Sequence, residues 1–302
     1  MKEIIVQSQD PIRLDRYLRR YYPDATQGVI EKSLRTGAIK LNNSKAKTNM
    51  RVVAGDLITI ADSVFASSDA TNIEQLSKGF SANVVSLASK LLYDYRLFTS
   101  EQFIAINKPA GLAVQGGSKI SLSIDDAIAQ INHTTDTNYK LVHRLDKETS
   151  GVLLLANGFE NAARLARAFQ DGLIKKIYIA VLENCPDQPE GTIENNIGKD
   201  RSGIFEVVKK LDNGGKLAKT QYKVLQHKNK MSLVEFAPLT GRMHQLRFHA
   251  QFLGCPIVGD TKYGGKKHAR MLLHAKKLTI HASIFGKEIT INSEPSWEFD
   301  LD

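Results

Sequence analysis

A carboxylate, Asp146, stands in the run LVHRLDKETSGVLLLA (141–156), with His143 and Arg144 just before it and Thr149, Ser150 and Gly151 just after. Val and Leu follow without interruption from Val152 to Leu155. A charge beside a buried strand is costly unless it is paired. If it is paired and oriented, it can act as a nucleophile or a proton acceptor. Two other polar clusters interrupt apolar elements: Tyr178 in KKIYIAV, and Arg242, His244, Gln245 and Arg247 in TGRMHQLRFHA. Arg247 is an available partner for Asp146, on a helix whose Met243, Leu246 and Phe248 read as core-facing. Such a pair would keep Asp146 ionised and fix its rotamer. Taken singly, each residue has a plainer reading as a turn Asp, a half-buried strand Tyr or a surface Arg. The three together point to chemistry.

Other chemistries fit less well. GGKLAKT (214–220) departs from a phosphate loop, because Ala218 stands where Gly is required and a strand follows. No Gly-x-Ser-x-Gly elbow exists, so Ser150 reads as a turn residue before Gly151. His244 and His249 are five residues apart, the wrong spacing for two ligands on one helix face. Cys185 and Cys255 form no Cys-x-x-Cys pair and read as free thiols in a reducing cytosol. No metal site is expected. A two-acid glycosidase scheme lacks a second carboxylate in comparable context.

The elements that must position these residues mix strands and helices. Phe103 to Ile106 reads as an apolar strand ending at Asn107, Lys108 and Pro109. SLSIDDAIAQI reads as a helix capped near Ser121 or Ser123. FENAARLARAFQ is an amphipathic helix closed at Asp171-Gly172, KKIYIAVLE a strand, and HQLRFHAQFLG a helix closed by Gly254. Asp212-Asn213-Gly214-Gly215 reads as a hairpin turn, followed by strands AKTQYKVLQHK and MSLVEFAPL. KLTIHASIF and KEITINSE read as late strands joined at Gly286. Strands outnumber helices and short turns join several, so an α+β fold is expected, with a mixed, mainly antiparallel sheet flanked by helices.

The chain has 302 residues, 42% hydrophobic and 24% charged, with net charge +9. That length suits two domains, and that charge favours a polyanion partner, nucleic acid before membrane. Neither a signal-peptide core nor a run of the ~20 apolar residues needed to span a bilayer is present, so a cytoplasmic protein is expected. Residues 1–62 read as a small unit: an amphipathic helix in PIRLDRYLRRYYP, a second helix over Gln27–Leu34 closed by Gly37, a strand and turn in IKLNN, and a turn and strand in AGDLITI. They hold eleven Lys and Arg against seven acids. Arg13, Arg16, Arg20, Lys32, Arg35, Lys45 and Lys47 are the candidate phosphate contacts. Residues 63–90 read as a linker with a short helix near 83–92, residues 91–295 as the larger domain, and 296–302 as a tail.

RLDRYL (13–18), Glu31 to Gly37, IKLNN (39–43) and AGDLITI (54–60) resemble an S4 RNA-binding domain. HRLDKETSG matches the signature His-Arg-Leu-Asp-x-x-Thr-Ser-Gly of the RluA-type pseudouridine synthases. INKPAGLAVQGGS (106–118), KKIYIAV, AKTQYKVL, PLTGRMHQLRFHAQFLGCPIVGDTKYG (238–264) and MLLHAKKL (271–278) follow in that family's order. The resemblance spans roughly residues 95–283. With the S4-like unit and the Gln115-Gly116-Gly117 variant, it leans to the RluC group acting on bacterial large-subunit (23S) rRNA. It implies conversion of uridine to pseudouridine in a flipped-out nucleotide, in a monomer without metal or cofactor. Asp146 would be the catalytic carboxylate, Tyr178 would stack on the base and help in proton removal, and Arg247 would pair with Asp146. Arg144 would fill the gap left by the flipped base, and Leu273 would form the pocket wall. Lys108 is grouped with the substrate-binding residues, in a supporting role, and Arg242 is a phosphate contact or a fold-stabilising pair. The alternatives are a non-catalytic S4-type RNA-binding or ribosome-assembly factor, and a hydrolase using Asp146 with a second acid.

Overall fold

The structure is a computed structural model that describes residues 1–7, 11–22, 25, 27–62, 64, 80–117, 120–200, 207–211 and 214–299, with backbone only at 20, 21 and 27. The chain separates into two compact units, Met1–Ser81 and Ala82–Asp302.

In the first unit, β1 (Lys2–Ile5), β6 (Leu57–Ile60), β3 (Ile39–Leu41) and β4 (Ser44–Lys45) form a sheet in the order β1-β6-β3-β4. β2 (Ile12–Arg13) pairs with β5 (Arg51–Val52). Helices α1 (Leu14–Tyr21) and α2 (Gln27–Thr36) bury Leu14, Leu18, Ile30 and Leu34 against Ile39, Val52 and Ile58. The β3–β4 turn places Asn42 and Asn43 at φ 48 and 63, the left-handed geometry that a tight hairpin demands and asparagine tolerates.

In the second unit, an eleven-stranded sheet runs β13 (Val207–Lys210), β12 (Glu190–Asp200), β14 (Lys216–Lys228), β15 (Met231–Pro238), β11 (Ile174–Glu183), β16 (Leu273–Ile280), β10 (Ser150–Asn157), β8 (Phe103–Lys108), β7 (Arg96–Thr99). β17 (Ile289–Asn292) adds to β16, and β9 (Tyr139–Leu141) adds to β10. Every pairing is antiparallel except β10 with β16. The continuous apolar runs of β8 and β10 follow from burial on both faces. Ile104, Ile106, Leu153 and Leu155 meet α3 (Ala82–Leu92) and α4 (Ile124–Thr134) on one side. Phe103, Ala105, Val152 and Leu154 meet α5 (Gly158–Gln170) on the other. Ser123 caps α4 in a capping box with Asp126. Helix α6 (Gln245–Phe252) packs Leu246 and Ala250 on Val234, Phe236 and Leu273.

Three sequence readings need correction. The short helix expected near 83–92 is α3, but it starts at Ala82 and buries Leu87 and Leu91 in the second core, so 82–90 belong to that unit and not to a linker; residues 63 and 65–79 lie outside the described residues. The 212–215 stretch, of which 212 and 213 are also outside, joins no hairpin, because β13 and β14 lie on opposite sides of β12. HASIF is not strand: β16 ends at Ile280, and α7 (Ala282–Phe285) is capped by the His281 side chain and closed by Gly286 at φ 79. No described helix is long and apolar enough to cross a membrane.

Candidate active site

Asp146 lies in the loop between β9 and β10, and several contacts fix that loop. The Thr149 amide donates to the Asp146 carbonyl at 3.1 Å. The neighbouring Lys147 carbonyl accepts from the Gly111 amide and from Lys108 Nζ, each at 2.9 Å. Lys108 is fully buried, and its ammonium also donates to the carbonyls of Pro109 and Leu112, at 2.9 and 2.8 Å. Burial pushes its pKa down to about 7, opposed by Glu148 and Asp146, and three carbonyl acceptors satisfy three N–H only in the charged form. Gly151 adopts φ +110, and a Cβ there would run into the backbone of Ala275. Glycine thus lets β10 start flush against β16.

Asp146 opens into a cleft of about 420 Å³ that is also lined by Arg144, Tyr178, Arg242, Arg247 and Leu273. Tyr178 comes from β11 at a register shift between Ile177 and Tyr178 against β16, the kind of irregularity that re-aims a side chain. Leu273 opens β16 and is buried. Burial, then the charge of Asp146, raises the Tyr178 pKa, so the phenol is neutral. Arg247 is 5% exposed. It holds Asp260 with both arms, Nε to Oδ2 and Nη2 to Oδ1, each at 2.7 Å. The remaining Nη1 lies 3.5 Å from Asp146 Oδ2. The guanidinium also stacks over the Tyr263 ring, 5.0 Å from its centroid. Gln245 fixes the loop before α6: its Oε1 accepts from Thr240 Oγ1 at 2.7 Å and from the Arg242 amide at 3.0 Å. Its Nε2 donates to Thr220 Oγ1 and to the Lys219 carbonyl.

One carboxylate oriented in a cleft with a neutral phenol and an apolar wall suits a planar, uncharged ring as its target. Residues 102–252 match the sequence profile of a family described as RNA pseudouridylate synthase. The chain belongs to that family. Ribosomal large subunit pseudouridine synthase C of Rickettsia typhi is 46% identical over 301 residues, 98% of each chain. The protein of that name from Salmonella typhimurium is 29% identical, covering 90% of this chain and 83% of its own. Among solved structures, human RNA pseudouridylate synthase domain containing 4 superimposes with a TM-score of 0.59 at 28% identity, over 71% of this chain and 93% of that one.

Within this pseudouridine synthase, of the six residues given a catalytic or substrate-binding role beside Asp146, five line its cleft and one does not. Lys108 lines a separate cavity and touches no cleft residue with its ammonium; it ties down the Asp146 loop from behind. The exposed Arg144 makes no ion pair among the described residues. Arg242 has no carboxylate partner among them either, and its Nε donates to the Leu217 carbonyl at 3.0 Å. The sequence reading missed Asp260, which takes the two short bonds of Arg247. It also missed the roles of Tyr263 and His244, whose Nε2 is 3.8 Å from Asp146 Oδ2. GDTKYG reads as a turn, so nothing local marks Asp260 as a buried ion-pair partner. His143 has a structural place: its Nε2 accepts from the Leu154 amide at 2.9 Å, and its ring lies against Phe169.

In the first unit, Arg16, Lys32, Arg35, Lys45 and Lys47 are exposed. Arg13 is held by the buried Asp15 through two bonds, at 3.0 and 2.7 Å, which take up much of its fork. The Arg20 side chain lies outside the described residues.

Proposed function

We propose that this enzyme isomerises uridines of large-subunit ribosomal RNA to pseudouridine, with Asp146 as the group that breaks the glycosidic bond. The observation that carries the reading is Asp146 itself. It is one carboxylate, 25% exposed, approached by a buried arginine and set in a cleft with Tyr178 and Leu273. Among the described residues the only other acid in the cluster, Asp260, is 1% exposed and bound to Arg247 with both oxygens, which speaks against a two-acid hydrolase. The names of the relatives supply the substrate class.

The reaction balances without an outside reactant. The N1–C1′ bond breaks, uracil turns in the cleft, and C5 bonds to C1′. The proton on C5 leaves, and N1 ends with one. Reaching the bond requires the nucleotide to leave its stack. Arg144, exposed and lining the cleft, is read as entering the vacated gap, and Arg242 as a phosphate contact. The raised pKa of Tyr178 favours stacking on the base over service as a phenolate base. Residues 1–62 are read as the S4-like grip on structured RNA, supported by exposed cations on α1, on α2 and at and just after β4. The enzyme is read as a cytoplasmic monomer that uses no cofactor.

The test is Asp146→Asn, assayed by tritium release from C5-labelled uridine in large-subunit rRNA. Release should fall to background. A rate near that of the wild type would sink the assignment.

A further inference from the structure

His244 stands immediately before α6 at φ 53, ψ 20. A residue with a side chain adopts this left-handed conformation at a cost, and such conformations cluster at functional sites. The residue lines the Asp146 cleft. Its hydrogen bonds decide which nitrogen carries the proton. The Val208 amide can only donate, and it gives its N–H to the Tyr263 phenol oxygen at 2.7 Å. That oxygen lies 3.0 Å from His244 Nδ1. Among the described contacts Nδ1 is the one acceptor for the phenol proton. Nδ1 therefore accepts, and the proton of the neutral ring sits on Nε2. Nε2 faces Asp146 Oδ2 at 3.8 Å, and Arg247 Nη1 approaches the same oxygen at 3.5 Å. Both donors converge on Oδ2, and Oδ1 has no partner among the described residues.

We propose that His244 is a positioning residue for the reacting carboxylate: as a neutral Nε2–H donor it closes on Oδ2 together with Arg247 and leaves Oδ1 to meet the ribose. This rests on the function proposed above. Contacts of this length tighten when substrate excludes water from a cleft. The neutrality of the ring has a purpose, because a second full charge on Oδ2 would quench the carboxylate. The groups facing His244 act in both directions. Burial lowers its pKa, Asp146 opposes this, Arg247 and Lys262 lower it again, and Asp260 raises it. The net direction is down.

The experiment compares wild type, His244→Ala, His244→Gln and Tyr263→Phe in single-turnover tritium release between pH 5 and 9, with melting curves to establish folding. A glutamine amide nitrogen reaches the place of Nε2. H244A should lose roughly tenfold to a hundredfold in rate, the weight of one hydrogen bond to a charged group, with little change in RNA affinity. H244Q should recover most of that loss. Y263F frees Nδ1 for a second proton, so its acid limb should move to higher pH, while H244Q should lack that limb. Folded H244A at wild-type rate, H244Q no better than H244A, or an acid limb unchanged in all variants would each overturn the proposal. Nitrogen-15 NMR of the histidines tests the tautomer without any turnover: Nε2 protonated and Nδ1 bare is expected, and the reverse refutes it. A wild type that releases no tritium, with the tautomer as expected, would instead defeat the proposed reaction.

Discussion

Asp260→Asn should separate what the buried ion pair does for the fold from what it does for the site. Arg247 and Asp260 have side chains 6% and 1% exposed, so solvent screens their attraction little. Removing one member of such a pair costs about 3–5 kcal/mol, because the other charge stays buried. Arg247 is not fully orphaned: Nη1 keeps Asp146 at 3.5 Å, and an asparagine oxygen can still accept one of the two bonds. The lower end, about 3 kcal/mol, therefore applies. In a domain of this size each kcal/mol moves the midpoint by about 2–4 °C, so the second unit should melt about 6–12 °C lower. Arg247, released from the Asp260 fork, should swing toward Asp146, and a displacement near 1 Å can cost about a hundredfold in rate. Calorimetry and single-turnover tritium release measure the two effects separately. A double variant, Arg247→Met with Asp260→Leu, should regain much of the stability, because an apolar pair replaces an ionic one at little cost, while activity stays lost. A D260N protein that melts within about 2 °C of wild type at an unchanged rate would refute the reasoning. So would a double variant less stable than D260N.

Three other outcomes follow from the structure. Burial pushes His143 down to about 3 and His249 to about 4, from 6.5. The unfolded chain then binds more protons across that window, so stability is held above pH 6.5 and lost as the pH falls toward 3, by up to about 1.4 kcal/mol per pH unit for each group. His143→Gln keeps an acceptor for the Leu154 amide and should flatten the slope in urea titrations at pH 4, 5, 6 and 7; an equally steep slope would count against the assignment. Gly151→Ala forces a Cβ into the Ala275 backbone at positive φ and should cost roughly 3 kcal/mol or more, seen as a lowered midpoint or insoluble protein; unchanged melting would contradict the close approach. Removing residues 1–62 should weaken rRNA binding and lessen its salt dependence, with the second unit still folded by circular dichroism; equal affinity and salt slope would show that the first unit does not grip RNA.

The cluster proposed to be catalytic was legible where sequence neighbours share a task. Asp146 announces itself as a charge beside an apolar run, and Arg247 as a cation on a helix with apolar neighbours. Asp260 and Tyr263 were not legible, because their meaning arises only when residues 13 and 16 positions downstream of Arg247 fold back under it. The partner of Arg247 was accordingly misread in degree: Asp146 takes the third, longer contact, and Asp260 takes the two short ones. The strand over Glu190–Asp200 escaped notice since only Ile193, Asn195 and Ile197 turn inward among exposed Glu, Gly and Thr. HASIF misled for the opposite reason, because apolar residues on a single helical turn mimic strand alternation over so short a length.

The position of β16 bears on how the enzyme comes into being. It comes far behind both neighbours in the chain, nearly a hundred residues after β11, yet among the described strands it sits mid-sheet and joins β11 to β10. A ribosome that has made residues 82–270 has issued two wings of a sheet with no seam between them, Asp146 in one and Tyr178 and Arg247 in the other. Only when Leu273–Ile280 emerges can the wings close and the cleft acquire its wall. A chain that stops before residue 273 would therefore carry Asp146, Tyr178 and Arg247 without the strand that joins the two wings holding them.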